Sequence, residues 1–426
     1  MTCNCRFCGN QLKYTFIDLG ISPIANDYLS PPHLHQAEKF YPLHTYICEK
    51  CLLVQLEEFE SPNHIFGDGD YAYFSSYSDS WLKHAKAYTE LIVKKFDFNS
   101  HIEVIEIASN DGYLLQYFQD KGISVLGIEP AANTAQVAIE KGIPTITEFF
   151  GTEVAQELAA QKKQADLLIG NNVLAHVPEL NDFITGLKIL LKPNGILTME
   201  FPHLLQLIDQ NQFDTIYHEH FSYFSFLCVE NIFAAHNLTL FDVEELPTHG
   251  GSLRIYGKHN NAELPNISER VSQLKAKEIA AGLDRLETYI TFGEKVKQTK
   301  LKLINFLVTA KQQNKSIVAY GAPAKGNTLL NYCGINKDFI DYTVDRNPYK
   351  QGLFLPGTHI PIFHPEKIRE TKPDYVLILP WNIKEEIMEQ MKFISEWGGQ
   401  FIVPIPEVKV YPSPSKLLSY AHNGGE

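Results

Sequence analysis

The stretch "IEVIEIASNDGYLL" (102–115) decides the fold of the middle of the chain. Its first half is apolar and rich in β-branched residues, which is typical of a strand buried in a sheet. Small residues and Asn110-Asp111-Gly112 then lead into an apolar run that predicts the start of a helix. A second strand pattern, "ISVLGIEP" (123–130), reaches Glu129 about 20 residues further on, which is the spacing of a Rossmann-like βαβ unit.

The same alternation continues towards the C-terminus. Helices are predicted for "NTAQVAIEKG" (133–142) and "ELNDFITGLKILLKPNG" (179–195), and strands for "ADLLIGNNVLAHV" (165–177) and "GILTMEF" (195–201). Repeated βα units predict a parallel, doubly wound sheet. "GGSLRIYGK" (250–258) is predicted to be a late edge strand of the same domain.

A second α/β unit follows a long helical pattern at 267–313, which is predicted to be a connector interrupted at Gly282 and Gly293. "KSIVAYGAPAKGNTLLNYCG" (315–334) has the order strand, turn, helix, and further strands are predicted within 340–348, 373–381 and 400–406. The chain is therefore predicted to carry two α/β domains.

The N-terminal part, residues 1–70, is rich in turns and contains two C-x-x-C pairs. Cys5 and Cys8, with Cys48 and Cys51, offer four thiolates to one ion, which predicts a structural zinc site. Cys3 could replace Cys5. Free surface thiols and a dithiol redox pair are the alternatives, whereas a catalytic zinc is disfavoured because four thiolates leave no open coordination position.

Composition excludes several classes of function. The chain has 426 residues, a formal net charge of −13 and 44% hydrophobic residues. Such an acidic protein is not expected to bind nucleic acid, which argues against a zinc-bearing RNA-binding protein or RNA methyltransferase. No apolar run reaches the length of about 18 residues needed to span a membrane, and the N-terminus carries no signal-like segment. We therefore expect a cytoplasmic protein without a membrane partner.

The turn after the first buried strand is a candidate cofactor site. Its small residues allow a ligand to approach the backbone, and an acidic residue at the position of Glu129 typically binds the hydroxyls of an adenosine ribose. The glycine trio of a dinucleotide site is absent from both α/β units, which disfavours an NAD-dependent oxidoreductase or epimerase. A cofactor with adenosine but no phosphates, S-adenosylmethionine, is predicted; an ordinary βα turn is the alternative. The candidate cofactor residues are Glu106, Ala108, Ser109, Asn110, Asp111, Gly112, Glu129, Pro130, Asn171 and Asn172.

Several stretches together resemble one known family, the nucleotide-sugar C-methyltransferases of deoxysugar biosynthesis, including C-3′-methyltransferases that act on 4-keto-6-deoxy sugars. The resemblance covers nearly the whole chain in the same order. It rests on the double cysteine knuckle and on "FGDGDYAYFSSYSDSWLKHA", "EIASNDGYLL", "NNVLAHVPELNDF", "YHEHFSYFS", "HGGSLR", "GAPAKGNTLLNYCGI" and "PGTHIPI".

The resemblance implies a three-domain organisation. A zinc-binding module (1–70) precedes a central Rossmann-like domain that binds S-adenosylmethionine (71–266). After the helical connector, a C-terminal Rossmann-like domain (314–426) helps to hold the nucleotide of the sugar. The substrate expected from the resemblance is a nucleotide-linked keto-deoxysugar.

The resemblance also implies a catalytic role for "YHEHFSYFS" (217–225), with His220 as general base. A carbon next to a ketone must lose a proton before it can attack a methyl group, and histidine has a suitable pKa for that step. Alternation along an extended segment predicts that His218 points away from His220. A metal site at this H-E-H segment is disfavoured, since no third ligand is evident. The other candidate catalytic residues are Tyr217, Glu219, His176, Tyr71 and Tyr73.

The second α/β unit carries the candidate residues for the nucleotide. Helix N-terminal amides favour phosphate, so the small-residue turn before "AKGNTLLN" is a suitable place for a diphosphate. Basic side chains near this turn could add charge, although a solvated charge run is the alternative reading for two of them, Arg346 and Lys350. The predicted substrate-binding residues are Lys325, Asn327, Arg346 and Lys350.

Overall fold

The computed structural model describes residues 3–67, 71 and 73–412, so residues 68–70 and 72 of the motif at 66–85 lie outside the described residues. In chain order the strands are β1 (Tyr14–Ser22), β2 (Tyr41–Ile47), β3 (Val54–Leu56), β4 (Glu103–Ile107), β5 (Ser124–Ile128), β6 (Thr145–Ile146), β7 (Ala165–Asn171), β8 (Leu191–Pro202), β9 (Ser222–Tyr223), β10 (Leu238–Leu246), β11 (Ser252–His259), β12 (Ile317–Tyr320), β13 (Thr343–Val344), β14 (Ile362–Phe363), β15 (Tyr375–Ile378), β16 (Gln400–Val403) and β17 (Lys409–Tyr411). The helices are α1 (Asp79–Lys95), α2 (Leu115–Gln119), α3 (Ala132–Glu140), α4 (Thr152–Ala160), α5 (Leu180–Leu190), α6 (Leu204–Asp209), α7 (Phe226–Ala235), α8 (Glu269–Ala280), α9 (Leu286–Ile290), α10 (Phe292–Gln312), α11 (Ala324–Cys333), α12 (Lys367–Thr371) and α13 (Lys384–Gln390).

The chain forms two compact units that do not follow the predicted domain limits at 70, 266 and 313. Residues 15–45 belong to the same unit as the C-terminal part, where the Tyr28 hydroxyl donates a hydrogen bond to the Ala322 carbonyl at 2.6 Å. The first unit comprises Met1–Tyr14, Tyr46–Leu205 and Glu219–Tyr289, and the second comprises Thr15–Thr45, Gln206–His218 and Ile290–Glu426.

The first unit contains a seven-stranded sheet with the order β10-β11-β8-β7-β4-β5-β6. Strands β8, β7, β4, β5 and β6 are parallel, as the βα alternation predicts. Strand β11 is antiparallel to both neighbours and lies between β8 and β10. The prediction that 250–258 is an edge strand was therefore wrong, because β10, which the sequence reading missed, takes the edge position beside it.

Strand β4 explains why the opening stretch decides this fold. Val104 packs into one hydrophobic core, while Ile105 and Ile107 pack into another, as expected for side chains that alternate between the two faces of a sheet. All three side chains are buried. A parallel strand covered on both faces reads as a continuous apolar run rather than an alternating one.

The second unit contains a six-stranded sheet with the order β14-β13-β12-β15-β16-β17. It is parallel except for β17, which runs antiparallel to β16. The short strands β14 and β17 were not predicted. No helix within the described ranges combines the length and apolarity that a membrane span requires.

The predicted helical connector is three helices, α8, α9 and α10, rather than one interrupted rod. Gly282 has a φ of +82° and lies between α8 and α9, as expected for a helix-ending glycine. Gly293 is the second residue of α10 and does not interrupt it, so this part of the prediction was wrong. A glycine in the first turn of a helix leaves the later backbone hydrogen bonds intact.

Candidate active site

The turn that follows β4 has an unusual backbone. Ala108 and Asn110 have φ values of +57° and +50°, and Gly112 has a φ of +75°. Asn172, just after β7, has a φ of +54°. A non-glycine residue in this region costs on the order of 1–3 kcal/mol, and such residues concentrate at ligand sites. The neighbouring parallel strands β4 and β7 are thus both followed, at their carboxyl ends, by residues with strained backbone.

Glu129, at the end of β5, holds this turn in place. Its two carboxylate oxygens accept hydrogen bonds from the backbone amides of Asn110 and Ala131, both at 2.9 Å. Burial raises the pKa of Glu129 to about 6. The predicted acidic residue thus lies against the predicted cofactor turn, and Pro130 follows it directly in the chain.

Several buried polar atoms at this edge have no hydrogen-bond partner in the part of the chain that the structure describes. They include Ser109 Oγ, Asp111 Oδ1 and Asn171 Oδ1. Burial raises the pKa of Glu106 well above its usual range. Since buried polar atoms are normally hydrogen-bonded, this cleft fits a ligand with several polar groups, as S-adenosylmethionine has.

The segment with Tyr71 and Tyr73 is tied to the same turn. Asn133 Nδ2 donates to the Tyr71 carbonyl at 3.0 Å, and Asn110 Nδ2 donates to the Tyr73 carbonyl at 3.1 Å. The Tyr71 ring meets Phe66 edge-on at 5.5 Å, and Phe66 in turn meets His176 at 5.6 Å. Tyr71 and His176 thus share the aromatic neighbour Phe66, and Tyr73 is 48% exposed.

His176 and His220 lie side by side. Their ring centroids are 4.7 Å apart at an angle of 80°, and Tyr223 lies 6.1 Å from His220 on another side. Burial lowers the pKa of His176 to about 4, against an opposing interaction with the Glu219 backbone, so this imidazole is neutral near pH 7. The first unit therefore brings together His220, Glu219 and His176, as the resemblance implies.

The segment "YHEHFSYFS" is not the extended strand that alternation predicted. His218 and Glu219 form a turn, and only Ser222–Tyr223 pairs as a strand. His218 and His220 are both buried, and His218 bonds to the Pro42 carbonyl at 3.1 Å within the second unit. The prediction of an extended strand failed because this stretch is too short for its apolar pattern to distinguish a strand from a turn lined by aromatic residues. Tyr217 belongs with His218 to the second unit.

The N-terminal module supports the His220 segment through strand pairing. In β3, Val54 and Gln55 pair with Tyr223 and Ser222 of β9, and the Leu56 amide donates to the Phe221 carbonyl at 2.9 Å. The Arg6 guanidinium lies 5.4 Å from the centre of the Phe221 ring. Sequence reasoning missed Arg6, because its only local signal is its place between two cysteines.

The four predicted cysteines form a compact cluster. The sulfur atoms of Cys5, Cys8, Cys48 and Cys51 all lie within 4.8 Å of one another, with two pairs at 3.5 Å. A tetrahedral zinc with bonds of about 2.3 Å requires sulfur separations of about 3.8 Å, so the four thiols fit one zinc ion. Cys3 is not part of the cluster, which removes it as a replacement for Cys5.

The predicted nucleotide residues of the second unit have different surroundings. Lys325 Nζ donates to Asn382 Oδ1 at 2.8 Å and lies 4.8 Å from the centre of the Trp381 ring. Lys350 Nζ donates to the Ala322 carbonyl at 2.8 Å. Asn327 is buried and its amide donates to the Ala25 carbonyl, whereas Arg346 is exposed. Two lysines thus lie near the N-terminus of α11.

Sequence reasoning missed a buried carboxylate near Lys325. Trp381 Nε1 donates to Asp214 Oδ2 at 2.7 Å, and burial raises the pKa of Asp214 to about 7 while the Lys325 charge opposes that shift. Asp214 lies in the unremarkable stretch "NQFDTI", so no sequence signal identified it.

Gly112→Ala is expected to destabilise the protein by about 2–4 kcal/mol and to weaken S-adenosylmethionine binding. A Cβ at Gly112 would lie 2.4 Å from Ile143 Cδ1, and the φ of +75° disfavours any side chain. Gly122→Ala is the matched control, since Gly122 has a φ of +70° but nothing within 4 Å of its Cβ position. Denaturant unfolding measures both variants, and equal losses of unfolding free energy would contradict the role of the close approach.

Comparisons with known proteins agree with this arrangement along the whole chain. Family models match residues 5–66 (zinc binding domain), 80–243 (methyltransferase domain) and 247–406 (C-methyltransferase C-terminal domain). C-methyltransferase NovU from Streptomyces niveus is 34% identical over 413 residues, 97% of this chain and 98% of that protein.

More distant relatives match a smaller share of the chain. A ubiquinone biosynthesis O-methyltransferase from Bartonella tribocorum is 26% identical over 98 residues, 23% of this chain and 40% of that protein. Among solved structures, magnesium protoporphyrin IX methyltransferase from Synechocystis with bound S-adenosylmethionine matches at 16% identity and a TM-score of 0.32, covering 46% of this chain and 88% of that one. A TM-score at this level says nothing about activity.

The end-to-end match to one relative and the three successive domain matches fix the class of the protein. They confirm the predicted α/β fold class, with a zinc-binding N-terminal part and Rossmann-like methyltransferase architecture, and the predicted cofactors S-adenosylmethionine and zinc. The chain belongs to the S-adenosylmethionine-dependent C-methyltransferase family.

Proposed function

We propose that the chain methylates C-3′ of a nucleotide-linked 4-keto-6-deoxy sugar through an enolate, with His220 as general base. The observation that carries the proposal is the pair of imidazoles, His176 and His220, with ring centroids 4.7 Å apart. One of the two is held neutral near pH 7 by burial. A C-methyltransferase needs a base to remove a carbon-bound proton and a donor for the oxygen that becomes negative.

In the proposed reaction His220 accepts the proton from the carbon next to the ketone, and the electron pair of that C–H bond delocalises onto the keto oxygen. Neutral His176 can donate a hydrogen bond to this oxygen without competing for the proton. S-adenosylmethionine, held by the turn after β4 and Glu129, would supply the methyl group of its sulfonium to that carbon, with the electron pair of the broken C–S bond left on sulfur. Glu219 is proposed to orient His220.

Aromatic side chains favour this chemistry by excluding water. The Phe66 ring lies 5.6 Å from His176, the Tyr223 ring lies 6.1 Å from His220, and Tyr71 packs against Phe66 at 5.5 Å. Hydrogen bonds to a developing negative charge are stronger where water is absent. We propose Tyr71 as a further donor to the substrate, and Tyr73, which is half exposed, as a residue at the mouth of the site.

For the nucleotide we propose the N-terminus of α11 in the second unit. Lys325 and Lys350 bring two ammonium groups to the residues around Ala322, and helix N-terminal amides favour phosphate. Lys325 Nζ donates to Asn382 Oδ1 and Lys350 Nζ donates to the Ala322 carbonyl, and a diphosphate would offer both ammonium groups a charged acceptor. Asn327 and exposed Arg346 are proposed to contact the same nucleotide.

The test is product analysis. Purified protein is incubated with S-adenosylmethionine and a panel of nucleotide-linked sugars that differ in the 4-keto group, the 3′ substituent and the base. We expect a mass gain of one methyl only with 4-keto sugars, loss of the C-3′ proton signal by NMR, and no turnover with NAD in place of S-adenosylmethionine. Methylation of an oxygen or nitrogen, or equal turnover of sugars without the keto group, would contradict the proposal.

A further inference from the structure

The motif "HGGSLR" (249–254) has no role in the proposed reaction. Thr248–Gly250 forms a tight turn between β10 and β11, and His249 has a φ of +54°. Its Nε2 lies 3.2 Å from Asn172 Nδ2, and its ring meets Trp81 edge-on at 5.1 Å. The turn after β10 thus reaches the residue that follows β7.

Asn172 is held in one orientation from both its backbone and its side chain. Its backbone amide donates to the Glu200 carbonyl at 2.7 Å, and its φ of +54° is left-handed like that of His249. One end of its side-chain amide faces His249 Nε2. The other end, Oδ1, is buried and has no hydrogen-bond partner among residues 3–67, 71 and 73–412.

The turn that carries His249 rests on a buried ionic group. The Thr248 hydroxyl donates to Glu200 Oε1 at 2.7 Å, and Glu200 Oε2 lies 2.9 Å from His84 Nε2 and 3.1 Å from Arg254 Nη2. Glu200 is fully buried and its neighbours lower its pKa despite the burial. This support keeps a strained residue, His249, at a fixed distance from Asn172.

We propose that His249 is a positioning residue for the methyl-transfer site. Its Nε2, unprotonated, accepts a hydrogen bond from Asn172 Nδ2 while its Nδ1 carries the proton. The Asn172 amide is therefore turned so that Oδ1 is presented as an acceptor to a donor on the bound ligand, a hydroxyl or an ammonium group. That donor belongs either to S-adenosylmethionine or, where the inference rests on the proposed function, to the sugar.

Two substitutions separate this role from a purely structural one. His249→Gly relieves the left-handed backbone and removes the imidazole, so we expect an unchanged or raised melting temperature. Catalytic efficiency should nonetheless fall on the order of 10- to 100-fold, because a reacting centre loses one of its positioning contacts. His249→Asn tolerates the same backbone and offers a carbonyl acceptor, so we expect it to restore most of the loss. If His249→Gly keeps its melting temperature and also its activity, the proposal is wrong.

Three further measurements show which ligand carries the hydrogen-bond donor. They also test the role of His249 separately from the identity of the sugar substrate. If the donor is on the cofactor, His249→Gly weakens S-adenosylmethionine binding about 10-fold in calorimetric titration. If the donor is on the sugar, cofactor affinity is unchanged and the sugar KM rises or kcat falls. Long-range proton–nitrogen NMR of histidine-labelled wild-type protein reports the tautomer directly. A proton on Nε2 of His249 would overturn the inference, even if no nucleotide sugar proves to be a substrate and the proposed function fails.

Discussion

His220→Asn is expected to reduce methyl transfer by a factor on the order of 10² to 10⁴, the range for removal of a general base. Asparagine is close to imidazole in size and keeps a polar side chain in the buried position beside His176, so the fold should persist. It cannot accept a proton near pH 7. The turnover number should therefore fall, while S-adenosylmethionine affinity stays within about twofold of wild type, since the cofactor turn follows β4 and does not include His220.

The measurement is steady-state turnover by product mass spectrometry, with cofactor affinity by calorimetry on the same samples. His101→Asn is the matched control, because His101 is exposed and lies before β4, at the opposite end of that strand from the cofactor turn. We expect its activity and melting temperature to equal those of wild type. Turnover of His220→Asn within a factor of about three of the control would exclude His220 as the base.

The sequence predicted the parts of the fold that local pattern controls. Strand β4 is apolar because both of its faces are covered. The small-residue turn that follows it indicates a ligand site. Strand β10 was not predicted because its acidic residues are typical of a surface loop. In the structure Asp242 pairs with Lys95 at 2.7 Å and Glu244 pairs with Arg254 of the neighbouring strand β11 at 3.1 Å, so the acidic residues of this strand have basic partners on other elements.

Site residues could be predicted where they stand in a recognisable motif. Their arrangement could not be predicted where it depends on a partner that is distant in the sequence. His220 and His176 each stand in a recognisable motif, yet only the structure places their rings 4.7 Å apart. The turn at His218 and Glu219 is followed by β9, which pairs with β3, and these strands are far apart in the chain. His249 follows the same rule, because its partner Asn172 lies 77 positions away.

Loss of the zinc site is expected to abolish both stability of the first unit and activity. Cys48→Ser removes one of four thiolates from the cluster, and a structural zinc contributes on the order of 10 kcal/mol to folding. Whole domains have a net stability of about 5–15 kcal/mol, so little would remain. We expect less than about one tenth of the wild-type zinc content and a melting transition lowered by more than about 10 °C.

Activity should fall when the zinc is lost, because strand β3 links the cysteine cluster to the His220 segment. The Cys48 knuckle leads directly into β3, where Val54 and Gln55 pair with β9, and Arg6, between two other ligands, lies over Phe221. Cys3→Ser is the matched control: it replaces a partly buried thiol outside the cluster and should keep zinc, melting temperature and turnover. Metal analysis, thermal unfolding and turnover are measured on both variants and on wild type treated with a chelator. A Cys48→Ser protein without zinc but with wild-type turnover would show that the zinc site does not position His220.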